Sequence, residues 1–191
     1  LDLNHFDWGD NKLLLYNSIG LAVTLKFSKK DFGDDVQRTG QFSAHLDVLR
    51  EYSRPPISDV LSARLRWVKP IRSFLNLGGD LSLYRVDDLE VQTEGIGGHI
   101  VFNWLLLNGD HVKIVFDNGV GPNVFNAAFP FGGTQFNFST FYGVSIQVKV
   151  PTIGWLTVGA KNLHISNAGI AGADRNPALD AWGFSIGYIF P

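Results

Sequence analysis

The sequence predicts an all-β fold, an eight-stranded antiparallel transmembrane β-barrel, and three observations predict it. Apolar residues recur at every second position through most of the chain, the period of an extended strand with two unlike faces. The more polar face carries glycine, serine and asparagine with only one or two charges per segment. That is too little charge for the solvent face of a soluble sandwich or lipocalin-like barrel, and it suits the interior of a small membrane barrel. The segments are also long, mostly 9 to 16 residues, as a tilted crossing of bilayer hydrocarbon requires (~9–11 residues); soluble strands average about 5–6 residues.

Each element follows from the same reading. In 13–28, Leu13, Leu15, Ile19, Leu21, Val23, Leu25 and Phe27 share one parity, and the other includes Ser18, Gly20, Ala22, Thr24 and Lys26. Segment 40–50 sets Phe42, Ala44, Leu46 and Val48 against Ser43, His45 and Asp47, and 58–68 sets Leu61, Ala63, Leu65 and Trp67 against Ser62, Arg64 and Arg66. Next come 73–85, with Asp80 among its polar positions, 96–107, with Trp104 on its apolar face, and 111–120, where Lys113 and Asp117 oppose Val112, Ile114 and Phe116. The last three are 135–150, 154–166 and 180–190; the final one sets Trp182, Phe184, Ile186, Tyr188 and Phe190 against Gly183, Ser185 and Gly187. These are nine candidates, and bacterial single-chain barrels use even numbers. Eight strands are therefore expected, with the surplus before residue 70, where "EYSRPPISD" and "KPIRS" obscure the turns. "DNGVGPNVFNAAFPFGGT" reads as a long extracellular loop.

Composition bounds the rest. The 191 residues fit a single domain, with 1–12 as an irregular N-terminal segment. Sixteen Lys+Arg against 18 Asp+Glu leave a net charge of -2 with no basic run, so nucleic acid is not expected as a partner. No cysteine is present, which removes disulfides and thiolate metal sites. His5, His45, His99 and His111 are scattered, so no metal site is expected. The longest apolar runs are as short as "WLLL" at 104–107, far below the ~20 residues of a membrane-spanning helix. The absence of methionine fits a chain whose signal peptide has been removed. Inside the barrel, Asp47, Arg64, Arg66, Asp80, Lys113 and Asp117 are expected to neutralise one another.

One stretch carries chemistry. In "LHISNAGIAGADRNPALDAWGF", strand parity puts His164 and Ser166 on the face opposite Lys161, hence outward, and Asp180 shares the outward parity of Trp182 and Phe184. Residues two apart on a strand have Cα atoms roughly 6.5–7 Å apart, and directly opposed residues on paired strands bring their Cβ atoms to ~4.5–5.5 Å. A serine, a histidine and a carboxylate in that relation are the parts for acyl transfer. The competing reading is a turn-forming "SNAG" with a structural histidine. "NFS" at 137–139 lies inside a strand and "GIGG" at 95–98 lacks a following helix, so neither is a functional motif.

"HISNAG" followed by "NPALD", with "FPFGGTQFNFSTFYGVSIQV" upstream, resembles the outer-membrane lipid A 3-O-deacylases, the PagL family, over roughly residues 120–190. The resemblance implies an eight-stranded barrel in the outer membrane of a Gram-negative bacterium. Its serine esterase site faces lipid and removes the 3-position acyl chain of lipid A as a 3-hydroxy fatty acid. Carried over by position, Ser166 is the nucleophile, His164 the general base, and Asp180 the orienting acid; the family often has glutamate there, and Asp174 is the alternative. Asn167, Gly169 and Asn176 are candidates for the oxyanion hole. Lipid A or lipopolysaccharide is the implied substrate, membrane lipid the surroundings, no cofactor is needed, and a homodimer is left open. The alternative function is a non-enzymatic small outer-membrane barrel with a structural or adhesion role.

Overall fold

A computed structural model describes residues 12–16, 22–26, 39–53, 57–87 and 92–191. Eight antiparallel strands close into a barrel: β3 (Gln41–Glu51), β4 (Asp59–Arg72), β5 (Leu75–Asp87), β6 (Gln92–Asn108), β7 (Val112–Phe129), β8 (Thr134–Val150), β9 (Gly154–Ser166) and β10 (Leu179–Ile189). Each pairs with its neighbour in sequence, and β10 closes on β3. Two further strands, β1 (Lys12–Tyr16) and β2 (Ala22–Lys26), form a separate two-stranded sheet.

The barrel is apolar outside, and a set of charged residues is held within. Phe184 is 75% exposed and Leu65 63%, whereas Asp47 is fully buried. Alternation explains this inversion, because successive side chains leave a strand on opposite faces. In hydrocarbon every backbone group must be paired internally, and closure leaves no edge. The turns at one rim hold two or three residues (73–74, 109–111 and 151–153), while the two fully described connections at the other hold four (130–133) and twelve (167–178). Outer-membrane barrels show this asymmetry between periplasmic turns and extracellular loops.

Three layers fill the interior. Near the short turns lies a cavity of about 600 Å³ lined by Gln41, His45, Asn76, Asn103 and Gln147 among others. Above it, Asp47 accepts from Arg64 Nε (2.7 Å) and Nη2 (2.8 Å) and from Lys161 Nζ (2.7 Å). Arg66 pairs with Asp117 (2.6 Å) and Asp80 (3.3 Å), and all three cations flank the Phe141 ring. The expected mutual neutralisation thus holds for five of the six groups named from the sequence; Lys113 instead stands 4.4 Å over the Trp155 ring. Toward the long loops, Leu49, Val60, Tyr84, Phe125, Leu163, Ile165 and Leu179 form an apolar cluster.

Two expectations are corrected. Segment 13–28 is not a barrel strand but contains β1 and β2, in the register Leu13↔Leu25 and Leu15↔Val23. Odd residues pair with odd ones, so alternation reads identically for one long strand and for a hairpin. The surplus strand lay before residue 70, though not at the turns suspected. Likewise, "DNGVGPNVFNAAFPFGGT" is no long loop: β7 runs to Phe129 and only 130–133 turn. Its glycines serve packing, since a Cβ on Gly121 would lie 1.8 Å from the Gly98 carbonyl oxygen and one on Gly119 would lie 2.5 Å from the Phe141 ring.

Candidate active site

Register alone assembles the outward-facing group. Asp180 on β10 is directly opposite His164 on β9, and Thr140 on β8 is opposite His164 on its other side. Behind this wall Leu163, Ile165, Leu179 and Ala181, all fully buried, lock the two strand ends into the interior cluster. β9 ends at Ser166 because the chain enters a turn in which Ala168 (φ 55°), Gly169 (φ 76°) and Gly172 (φ 94°) take left-handed conformations, which glycine adopts without a Cβ clash.

Within the group, His164 Nδ1–H donates to Asp180 Oδ1 (2.8 Å). The carboxylate thereby fixes the tautomer and leaves Nε2 to accept from the Ser166 hydroxyl (3.1 Å). The His164 and Asp180 side chains are 37% and 31% exposed, open to an incoming lipid yet held by their neighbours. Asp174, the alternative carboxylate, sits in a short 3-10 turn, Ala173–Arg175, and is exposed; the imidazole partner is Asp180.

The oxyanion candidates resolve differently. Asn167 is buried, its side-chain amide donates to the Arg175 carbonyl, and its Oδ1 accepts from Gly169 N–H (2.9 Å). Asn167 N–H donates to Asn176 Oδ1 (3.0 Å). The N–H groups of Asn167 and Gly169 are therefore engaged in holding the loop. Asn176 is anchored through its side-chain carbonyl to the backbone of Asn167, the residue after Ser166, and its NH2 group donates to no protein group among the described residues. Arg175 ties the loop to the β7–β8 turn through Gly133 O (3.4 Å).

A second Ser–His–Asp grouping, whose His99 the sequence offered only as one of four scattered histidines, lies inside the barrel. His99 meets Asp80 through Nδ1 (2.6 Å) and Ser139 through Nε2 (2.6 Å). The side chains of His99 and Asp80 are 0% exposed, Ser139 is likewise buried, and none of the three lines the interior cavity. The grouping's signal was the register Asp80↔His99, which no single segment contains. Among the described residues no cluster of three or more metal-ligating side chains occurs.

A family model described as lipid A 3-O-deacylase (PagL) matches residues 57–189. Among solved structures, "Crystal structure of the outer membrane enzyme PagL" aligns with a TM-score of 0.60 at 18% identity, covering 80% of this chain and 99% of that one. Neisserial surface protein A aligns at 0.58 with 12% identity, over 79% and 96% of the respective chains. At such identities these two structures speak for the fold. No curated protein matches the sequence. The family model spans most of the barrel, including β9, the loop beyond it and β10, and on that match the chain belongs to the lipid A 3-O-deacylase (PagL) family.

Proposed function

We propose that this protein is a serine esterase of the outer membrane that hydrolyses the 3-O-linked acyl chain of lipid A in the outer leaflet. The observation that carries the reading is the hydrogen-bonded chain Asp180–His164–Ser166 on the lipid-facing wall at the long-loop rim. A substrate anchored in the bilayer presents its ester to that wall without leaving the membrane. Membership of the PagL family supports the substrate class.

The steps follow from the geometry. Ser166 Oγ attacks the ester carbonyl carbon while His164 Nε2 takes its proton, and Asp180 stabilises the imidazolium that forms. The Asn176 amide is the donor for the developing oxyanion, an interaction whose loss typically costs ~10²–10³ in rate. His164 then returns the proton to the departing 3-hydroxyl of the sugar, leaving an acyl-serine. Water, deprotonated by His164, attacks that ester, releases a 3-hydroxy fatty acid and restores Ser166. No metal is needed for any of these transfers.

The test is mass spectrometry of lipid A incubated with the detergent-folded protein. Wild type is expected to yield lipid A lacking one acyl chain, together with the free acid. Ser166→Ala, folded to the same heat-shifted band on a gel, is expected to reduce the rate by at least ~10³-fold. Full product from Ser166→Ala would overturn the reading, and an inert wild type would favour a non-enzymatic barrel.

A further inference from the structure

The wall around the triad holds polar groups that the proposed mechanism leaves unused. Below the triad, the outward residues of β8 from Tyr142 to Val148, of β10 from Trp182 to Ile186, and of β9 from Leu156 to Ala160 are all apolar or aromatic. Thr140 and Asn162 depart from that pattern. A polar group facing lipid is costly and marks function unless a partner satisfies it.

Asn162 is satisfied. It is only 4% exposed, its amide donates to Tyr52 OH and to the Ala181 carbonyl, each at 3.3 Å, and the Tyr142 and Trp182 rings that flank it meet edge to face at 5.6 Å. Thr140 is not. It is exposed and directly opposite His164, on the side away from Asp180. Its hydroxyl has no hydrogen-bond partner among the described residues. Opposed positions bring Cβ atoms to ~4.5–5.5 Å, so a free hydroxyl stands beside the imidazole.

Its depth says what it meets. Phe138 is level with Ser166 and Thr140 with His164, two residues or ~6.6 Å further from the long-loop rim. An acyl group bonded to Ser166 extends toward the membrane interior, so its first few carbons pass at the height of Thr140 while the sugar stays above. Bare methylene groups there strand the threonine hydroxyl in an apolar contact; a hydroxyl on the chain satisfies it. We propose that Thr140 is a specificity-determining residue whose hydroxyl hydrogen-bonds a hydroxyl group carried by the substrate's acyl chain close to the ester carbonyl. This rests on the serine esterase reading above and adds the residue that selects a hydroxylated chain over a plain one.

The experiment compares two synthetic lipid A substrates that differ only in the presence of the hydroxyl on the 3-O-linked chain. Wild type, Thr140→Val and Thr140→Ser, each folded in detergent, are assayed on both, and the ratio of kcat/KM values is read. The ratio is independent of the fraction of correctly folded enzyme and cancels any loss common to both substrates. Wild type is expected to prefer the hydroxylated chain by about tenfold, the scale of one hydrogen bond. In Thr140→Val, which keeps the shape and removes the hydroxyl, the ratio is expected to fall to near one; Thr140→Ser is expected to retain it. A wild type without preference, or a Thr140→Val ratio equal to that of wild type, overturns the assignment of Thr140 and leaves the esterase reading standing. A wild type inert on both substrates overturns both.

Discussion

At the scale of the residue, the proposed chemistry turns on the Asp180 side chain. Its carboxylate reaches His164 at 2.8 Å from a directly opposed position, where an aspartate is long enough because the strands pair there without a bulge. Replacing it by asparagine offers the imidazole an amide whose NH2 favours the wrong tautomer, and a drop in kcat of roughly 10²–10⁴-fold is expected, by analogy with triads that lose their acid. Asp180→Glu keeps the charge on a longer arm and is expected to retain clearly more activity than Asp180→Asn. Rates of lipid A deacylation for the two variants, compared at equal folded protein, check this; equal activity in both would mean that Asp180 does not orient His164. The neighbouring Asn167 illustrates a different limit. The family resemblance offered it as an oxyanion-hole donor, yet which of its groups is free depends on contacts with Arg175 and Asn176, nine or fewer residues away, that only the folded loop creates.

At the scale of the element, period two was legible throughout, and all eight barrel strands coincide with alternating segments of the sequence. Boundaries were less legible where glycine and proline suggested turns. Gly119, Gly121 and Pro122 lie inside β7, and the glycines are required by what packs against them: the Phe141 ring and the Gly98 carbonyl. Gly121→Ala places a methyl group 1.8 Å from a backbone oxygen, so β6 and β7 must separate. A destabilisation of about 3 kcal/mol is expected, at the upper end for overpacking. Urea titration of the barrel in detergent micelles reads it out, and an unchanged midpoint would show that the two strands have room to part. The 13–28 segment failed for a complementary reason, since a hairpin whose register joins like parities leaves the alternation intact.

At the scale of the molecule, stability rests on polar groups buried in the barrel as much as on the greasy outer face. Asp47 is fully buried and holds both Arg64 and Lys161, so Asp47→Ala leaves two buried cations without their nearest anion. A loss of ~3–5 kcal/mol is expected, measurable as a lowered urea midpoint. The companion change Lys161→Met, which removes one of those cations along with its charge, is expected to recover part of that loss in the Asp47→Ala background. No recovery would mean that the network is not coupled through Asp47.

By itself the sequence determined the class of fold, the direction of each strand's two faces, and the outward parity of His164, Ser166 and Asp180. All of these follow from local periodicity, because a side chain's face is set by its position along its own strand. Only the tertiary structure decided which of the nine alternating segments close the barrel, that Asp180 and not Asp174 meets His164, and that Asn167 braces the loop while Asn176 keeps a free donor. It also decided that a second Ser–His–Asp grouping is buried inside. These outcomes depend on register between strands and on loop closure, where residues distant in sequence come within hydrogen-bonding range, and no periodicity within a single segment encodes that.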